Sequence, residues 1–182
     1  MRSVSKKVCL LGDFAVGKTS LLRRFVYNRF DDRYMSTIGV KVSRKTLVLP
    51  GMEGEPVELV LLLWDLAGGD RFTNLLESYL RGSAGAILVC DLTRPHTLDA
   101  LENYIHDLRG ASPEAVYVLA ANKQDLVPQD AVPQTHLQAF TQRHAIPYTL
   151  TSAKTGMNVD TLFRLLGEQL LRPQVMDGGG AR

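Results

Sequence analysis

Val8-Cys-Leu-Leu-Gly-Asp-Phe-Ala-Val-Gly-Lys-Thr19 passes from an apolar run straight into a glycine-rich loop. Val8 to Leu11 reads as a buried strand. Gly12 to Thr19 then match the eight-position phosphate-loop pattern, in which a strand leads through glycines into a helix. Gly12 and Gly17 permit a backbone path whose amides turn inward around phosphate oxygens, and the amino end of the following helix adds a partial positive charge. On this reading Lys18 reaches the β and γ phosphates and Thr19 offers a hydroxyl to Mg²⁺.

Downstream, short apolar, β-branched-rich runs alternate with helical patterns. Val40 to Leu49, Val57 to Asp65, Ala84 to Asp91, Ala115 to Ala121 and Ile146 to Leu150 join Val8 to Leu11 as strands, which predicts an α/β fold with a mostly parallel sheet. Pro50-Gly-Met-Glu-Gly-Glu-Pro56 holds turn formers and no helical period, so the second and third strands form a hairpin and one edge strand is antiparallel. Helices are predicted over Lys18 to Asn28, along Leu98, Leu101, Ile105 and Leu108, from near Pro133, and along Val159, Leu162, Phe163, Leu166 and Leu170 after the candidate N-cap Asn158. The expected organisation is an N-terminal extension at 1–5, one domain at 6–172 and a flexible tail at 173–182.

Composition narrows the function. The 182 residues suit one domain, and 21 Lys and Arg against 19 Asp and Glu leave a net charge of +2 without runs of like charge. That balance gives no basis for gripping nucleic acid. The longest apolar runs, Leu59 to Trp64 and Ala84 to Cys90, fall far short of the roughly 18 residues that span a bilayer. Cys9 and Cys90 sit inside strand patterns and read as small core residues, and Met1 to Lys7 shows no secretory pattern, so a cytoplasmic protein is expected. His96, His106, His136 and His144 lack ligand spacing and are expected at the surface or at helix ends.

A phosphate loop alone does not choose a nucleotide; Asn122-Lys-Gln-Asp125, directly after the fifth strand, does. A carboxylate at Asp125 accepts two hydrogen bonds from the N1 and N2 donors of guanine, and adenine offers no such pair. The wrong base would leave a charge unsatisfied, which makes such a site selective.

With these elements in place, the chain resembles the small GTPases of the Ras superfamily over roughly Lys6 to Arg172. Trp64-Asp-Leu-Ala-Gly68 matches their Asp-x-x-Gly element, Thr151-Ser-Ala-Lys154 their second guanine loop, Thr37 their first-switch threonine, and Phe30 the aromatic that packs on the base. The Rab family is the nearest, through Thr37-Ile-Gly-Val40, Trp64-Asp65 with Ala67-Gly68, Arg71-Phe72 and Tyr79 to Thr93. The resemblance implies a P-loop GTPase domain with six strands and about five helices. It implies GTP and GDP as ligands with Mg²⁺ held by Thr19, Thr37 and, through water, Asp65. The implied nucleotide contacts are Gly12, Asp13, Ala15, Val16, Gly17, Lys18, Thr19, Ser20, Phe30, Tyr34, Thr37, Gly68, Asn122, Lys123, Asp125, Ser152, Ala153 and Lys154, with Lys18, Thr37, Gly68 and Gly69 as the catalytic positions.

Two departures stand out. Gly69 occupies the position where relatives usually carry a water-orienting Gln, so intrinsic hydrolysis is expected to be slow. No cysteine follows Cys90 and residue 2 is Arg, so no lipid anchor is evident, and membrane association is expected only through partners. The resemblance implies a monomeric GTP/GDP switch that meets effectors, exchange factors and activating proteins through its two switch segments, presenting Val40 and Trp64. Trp64 itself reads either as packing where the third strand ends or, with Leu66 and Phe72, as part of a partner-binding patch. Gly69 also keeps open a pseudo-GTPase, a GTP-binding module without useful turnover. A kinase using the same loop lacks an evident lid or acceptor site.

Overall fold

The computed structural model of the chain describes residues 1–33, 36–51, 54–68 and 73–172. The expected tail at 173–182 lies outside them. Strand β1 (Arg2–Leu11) leads into helix α1 (Lys18–Tyr27), and β2 (Val40–Pro50) and β3 (Pro56–Leu66) form the hairpin. Then follow α2 (Thr73–Leu80), β4 (Gly85–Asp91), the four-residue α3 (His96–Asp99), α4 (Leu101–Ala111), β5 (Val116–Asn122), α5 (Gln134–His144), β6 (Tyr148–Leu150) and α6 (Val159–Leu171).

The six strands form one sheet in the order β2-β3-β1-β4-β5-β6. Only β2 and β3 pair antiparallel, from Val40 against Leu66 to Pro50 against Pro56, and every other pair is parallel. Side chains alternate between the two faces of a strand, and the centre of the sheet is apolar on both. Val8 and Leu10 of β1, Ile87 and Val89 of β4, and Val118 and Ala120 of β5 pack under α1 and α6. Their neighbours Cys9, Leu11, Leu88, Cys90, Leu119 and Ala121 pack under α4 and α5. Both cysteines are buried and free, as core residues. No helix among the described residues is long and apolar enough to cross a membrane.

Four details differ from the sequence reading. Strand β1 starts at Arg2 because Arg2 to Lys7 pair in register with Val57 to Leu62, so residues assigned to an extension belong to the sheet. Helix α2 was not among the predicted helices; it has only eight residues, with no acidic residue in its first turn and no basic residue in its last to mark its ends. The stripe after Pro95 is two segments, with Ala100 between α3 and α4. Asn158 precedes α6 but makes no side-chain cap; it adopts left-handed φ 56, and its Nδ2 donates instead to the Leu150 carbonyl at 2.9 Å.

Phe25 of α1 and Phe163 of α6 stack with ring centroids 3.8 Å apart, and Phe163 is fully buried. This contact locks together the two helices on one face of the sheet. Phe163→Ala should lower stability by about 3–5 kcal/mol, read as a lower urea midpoint.

Candidate functional site

The site lies at the carboxyl ends of β1, β4 and β5, where loops converge on a cleft of about 310 Å³. Its walls include Lys18, Thr19, Thr37 and Gly68 around the phosphate loop, Asn122, Lys123, Asp125, Ala153 and Lys154 from the loops after β5 and β6, and Phe30. The chain turns tightly from β1 into α1 because two glycines leave room. A Cβ on Gly12 would overlap the Val89 carbonyl, and one on Gly17 would overlap the Asn122 amide. Both glycines also have positive φ, 148° and 103°.

Lys18 opens α1 and is only 6 % exposed. Its Nζ donates to the carbonyls of Gly12 at 2.7 Å and Asp13 at 2.9 Å. Burial lowers its pKa to about 8, while the negative charges of Asp65 and Asp13 partly restore it. Gly68 crosses directly above, where a Cβ would stand 2.7 Å from the backbone carbonyl of Asp13 as well as 2.5 Å from Lys18 Nζ. Glycine is thus required there by contact.

Beside Lys18, the Thr19 hydroxyl donates to Asp65 Oδ2 at 2.6 Å, and the Thr37 hydroxyl lies 2.6 Å from that of Thr19. Asp65 is buried, and its second oxygen, Oδ1, has no hydrogen-bond partner among the described residues. Burial raises its pKa, against the lowering effects of the Thr19 hydroxyl and the Lys18 ammonium. Three hard oxygens, one of them an unpartnered carboxylate oxygen, suit a small divalent cation.

At the other end, Asn122 stitches three segments together. Its Nδ2 donates to the Val16 carbonyl at 3.0 Å, and its Oδ1 accepts from Thr151 Oγ1 at 3.2 Å and from the Ala153 amide at 3.3 Å. Ser152 Oγ donates to Asp125 Oδ1 at 2.6 Å, fixing the carboxylate's orientation.

A sequence model of the Ras family matches residues 7–172. The chain belongs to that family. It is also 39 % identical over 167 residues to the Ras-related protein RABA4d of Arabidopsis thaliana, an alignment covering 91 % of this chain and 73 % of the relative. It is thus a Rab-like small GTPase of the Ras superfamily, and its sheet order and antiparallel β2–β3 pair are those of the P-loop GTPase fold.

Of the residues singled out in the sequence of this Rab-like chain, Tyr34, Gly69, Arg71 and Phe72 lie outside the described residues. The other residues expected to bind nucleotide or metal line the cleft or belong to the strand ends and loops that form it, whereas Val40, Trp64, the cysteines and the histidines do not line it. Sequence reading missed three residues that brace these loops. Asp91, buried at the end of β4, pairs with Lys123 at 2.7 Å and Arg94 at 3.0 Å. Arg24 of α1 donates to the carbonyls of Ala153 at 2.9 Å and Lys154 at 2.5 Å. A carboxylate closing the apolar run Ala86 to Cys90 was the available signal for Asp91; nothing local marks Arg24. The histidines form no potential metal cluster among the described residues.

The buried ammonium has a measurable consequence. The folded, nucleotide-stripped protein releases the Lys18 proton near pH 8, whereas the unfolded chain holds it to about 10.5. Between those values the unfolded state binds more protons, so the contribution of Lys18 to stability rises with pH. Lys18→Met should remove that rise, read as the difference between variant and parent urea stabilities at pH 7.5 and 10.

Proposed function

We propose that this chain is a guanine-nucleotide switch that binds GTP and GDP with Mg²⁺ and turns over GTP slowly unless assisted. The observation carrying the reading is one cleft lined at one end by the phosphate loop and at the other by Asp125, Ala153 and Lys154. A diphosphate on a base spans such a pair of ends. The phosphate-loop amides and Lys18 bind the β and γ phosphates, Phe30 packs on the base, and Asp125 takes the guanine N1 and N2 donors. Ser152 keeps that carboxylate in place.

Thr19, Thr37 and Asp65 would hold Mg²⁺, and the unpartnered Asp65 Oδ1 supports that assignment. Bound there, the ion neutralises charge on the phosphate oxygens. Thr37 joins only when a γ phosphate is present, so the segment from Thr37 to Val40 is ordered in one nucleotide state and released in the other. Ile38, 91 % exposed, and the half-exposed Val42 support a surface for effectors and regulators beside that segment. The protein works as a cytoplasmic monomer, reaching membranes through partners.

Phosphoryl transfer to water needs positioning and electrostatic stabilisation more than covalent chemistry. Gly69 supplies no side chain to orient the attacking water, which makes intrinsic turnover slow. The same residue favours the second reading, a GTP-binding module with negligible hydrolysis. Single-turnover phosphate release separates the two.

Asp125→Asn should weaken GTP binding about 100-fold and favour xanthine nucleotides, whose extra carbonyl accepts from an amide; competition calorimetry measures this. Equal affinity of the parent for ATP and GTP would overturn the guanine reading. Gly69→Gln should raise single-turnover GTP hydrolysis about 10-fold, or ~1.4 kcal/mol of barrier, without changing GDP affinity. An unchanged rate would mean that another residue positions the water.

A further inference from the structure

Between Gly12 and Gly17 the phosphate loop carries four residues with side chains, Asp13 to Val16. Phe14 is half exposed, and Ala15 stands at φ 60, in the left-handed region that disfavours any residue with a Cβ. The peptide joining them is not held by glycine geometry, so something else must hold it.

Arg94 touches it. From the loop between β4 and α3, its Nη2 donates to the Phe14 carbonyl at 2.8 Å. Its Nε donates to Asp91 Oδ2 at 3.0 Å. That anchor is firm, because Asp91 ends a central strand, is 1 % exposed, and has its other oxygen bonded by both the amide and the hydroxyl of Thr93. The Arg94 backbone is fixed as well: its amide donates to the Asp91 carbonyl at 2.9 Å, and its carbonyl accepts from the Thr97 amide at 2.9 Å. Burial would raise the Asp91 pKa, but hydrogen bonds from Lys123, Thr93 and Arg94 together hold it below the usual carboxylate range, so the anchor stays ionised.

A trans peptide points its carbonyl and its N–H in opposite directions. Fixing the Phe14 carbonyl on Arg94 therefore turns the Ala15 N–H away from Arg94, and Ala15 lines the cleft. We propose that Arg94 is a positioning residue for nucleotide binding, clamping the Phe14–Ala15 peptide from its anchor on Asp91 so that the Ala15 amide faces the phosphates. Resting on the guanine-nucleotide reading above, this adds a residue outside the loop that sets the loop's shape. The clamp also touches the other end of the cleft, because Lys123 shares the same Asp91 oxygen at 2.7 Å. Arg94 also adds, after burial, to the lowering of the Lys18 pKa.

Stopped-flow dissociation of a fluorescent GDP analogue tests the clamp on the full chain. Arg94→Ala should speed release about 10-fold. Arg94→Lys should fall between parent and Arg94→Ala, because one ammonium cannot span both acceptors with the planar fork of arginine. The decisive variant is Arg94→Ala combined with Ala15→Gly. Glycine adopts φ 60 without strain, so the double variant should recover most of the lost retention, whereas a general structural role for Arg94 predicts no recovery. Unchanged release from Arg94→Ala, or faster release that Ala15→Gly leaves uncorrected, overturns the clamp. Failure of the parent to bind GDP at all overturns both the clamp and the reading beneath it.

Discussion

An ammonium is kept out of water at the first turn of α1, and the architecture around it follows from that burden. Lys18 is 6 % exposed, and a buried cation is tolerated only if its protons are satisfied. The Gly12 and Asp13 carbonyls take two of its three protons because the chain doubles back over its own lysine. That path in turn excludes a Cβ at Gly12 and Gly17, and the segment passing over the ammonium excludes one at Gly68. A carboxylate, Asp65, sits at the end of the neighbouring strand, where parallel pairing of Leu10 with Asp65 brings the two loops level.

The same logic repeats at the base end with neutral groups. Asn122 uses its amide to tie the phosphate loop to the Thr151–Ala153 segment, so two loops more than a hundred residues apart are held against one another. Arg24 braces the far side of that segment from α1. The sheet supplies rigid strand ends, and polar side chains convert those ends into a cleft of fixed length. This division fits β4 and β5, which carry no charged residue before they end on Asp91 and Asn122, and β3, whose apolar run Leu59 to Trp64 gives way to Asp65 one residue before its end.

What was legible in the sequence was what depends on local chemistry. The phosphate loop, the hairpin turn between Pro50 and Pro56, and the Asn122-Lys-Gln-Asp125 motif each carry their own signature within a few residues. Helix α2, the early start of β1 and the break at Ala100 were not legible, because pairing and packing with distant segments settle them. Lys7 illustrates the point: it is a strand residue because Leu62 lies beside it, which no window around Lys7 contains. Asn158 looked like a cap from its type and place, yet its backbone is left-handed at φ 56 rather than extended as a cap's is, and its Nδ2 donates to the Leu150 carbonyl. Arg24 and Arg94 were invisible for a related reason, since an arginine's reach is long and its partner unspecified until the fold is known.

Trp64 gives the molecule an optical property of its own. It is the only tryptophan in the chain, partly exposed, and precedes Asp65 directly. The Lys7 ammonium lies 4.1 Å from its ring centroid and is itself tethered to the Arg81 carbonyl just beyond α2, while the Tyr79 ring stands 6.3 Å away. Indole emission responds to a nearby cation and to solvent access. Any rearrangement of α2 against β3 alters both, so intrinsic fluorescence reports on this corner of the molecule without a label and without a competing tryptophan signal.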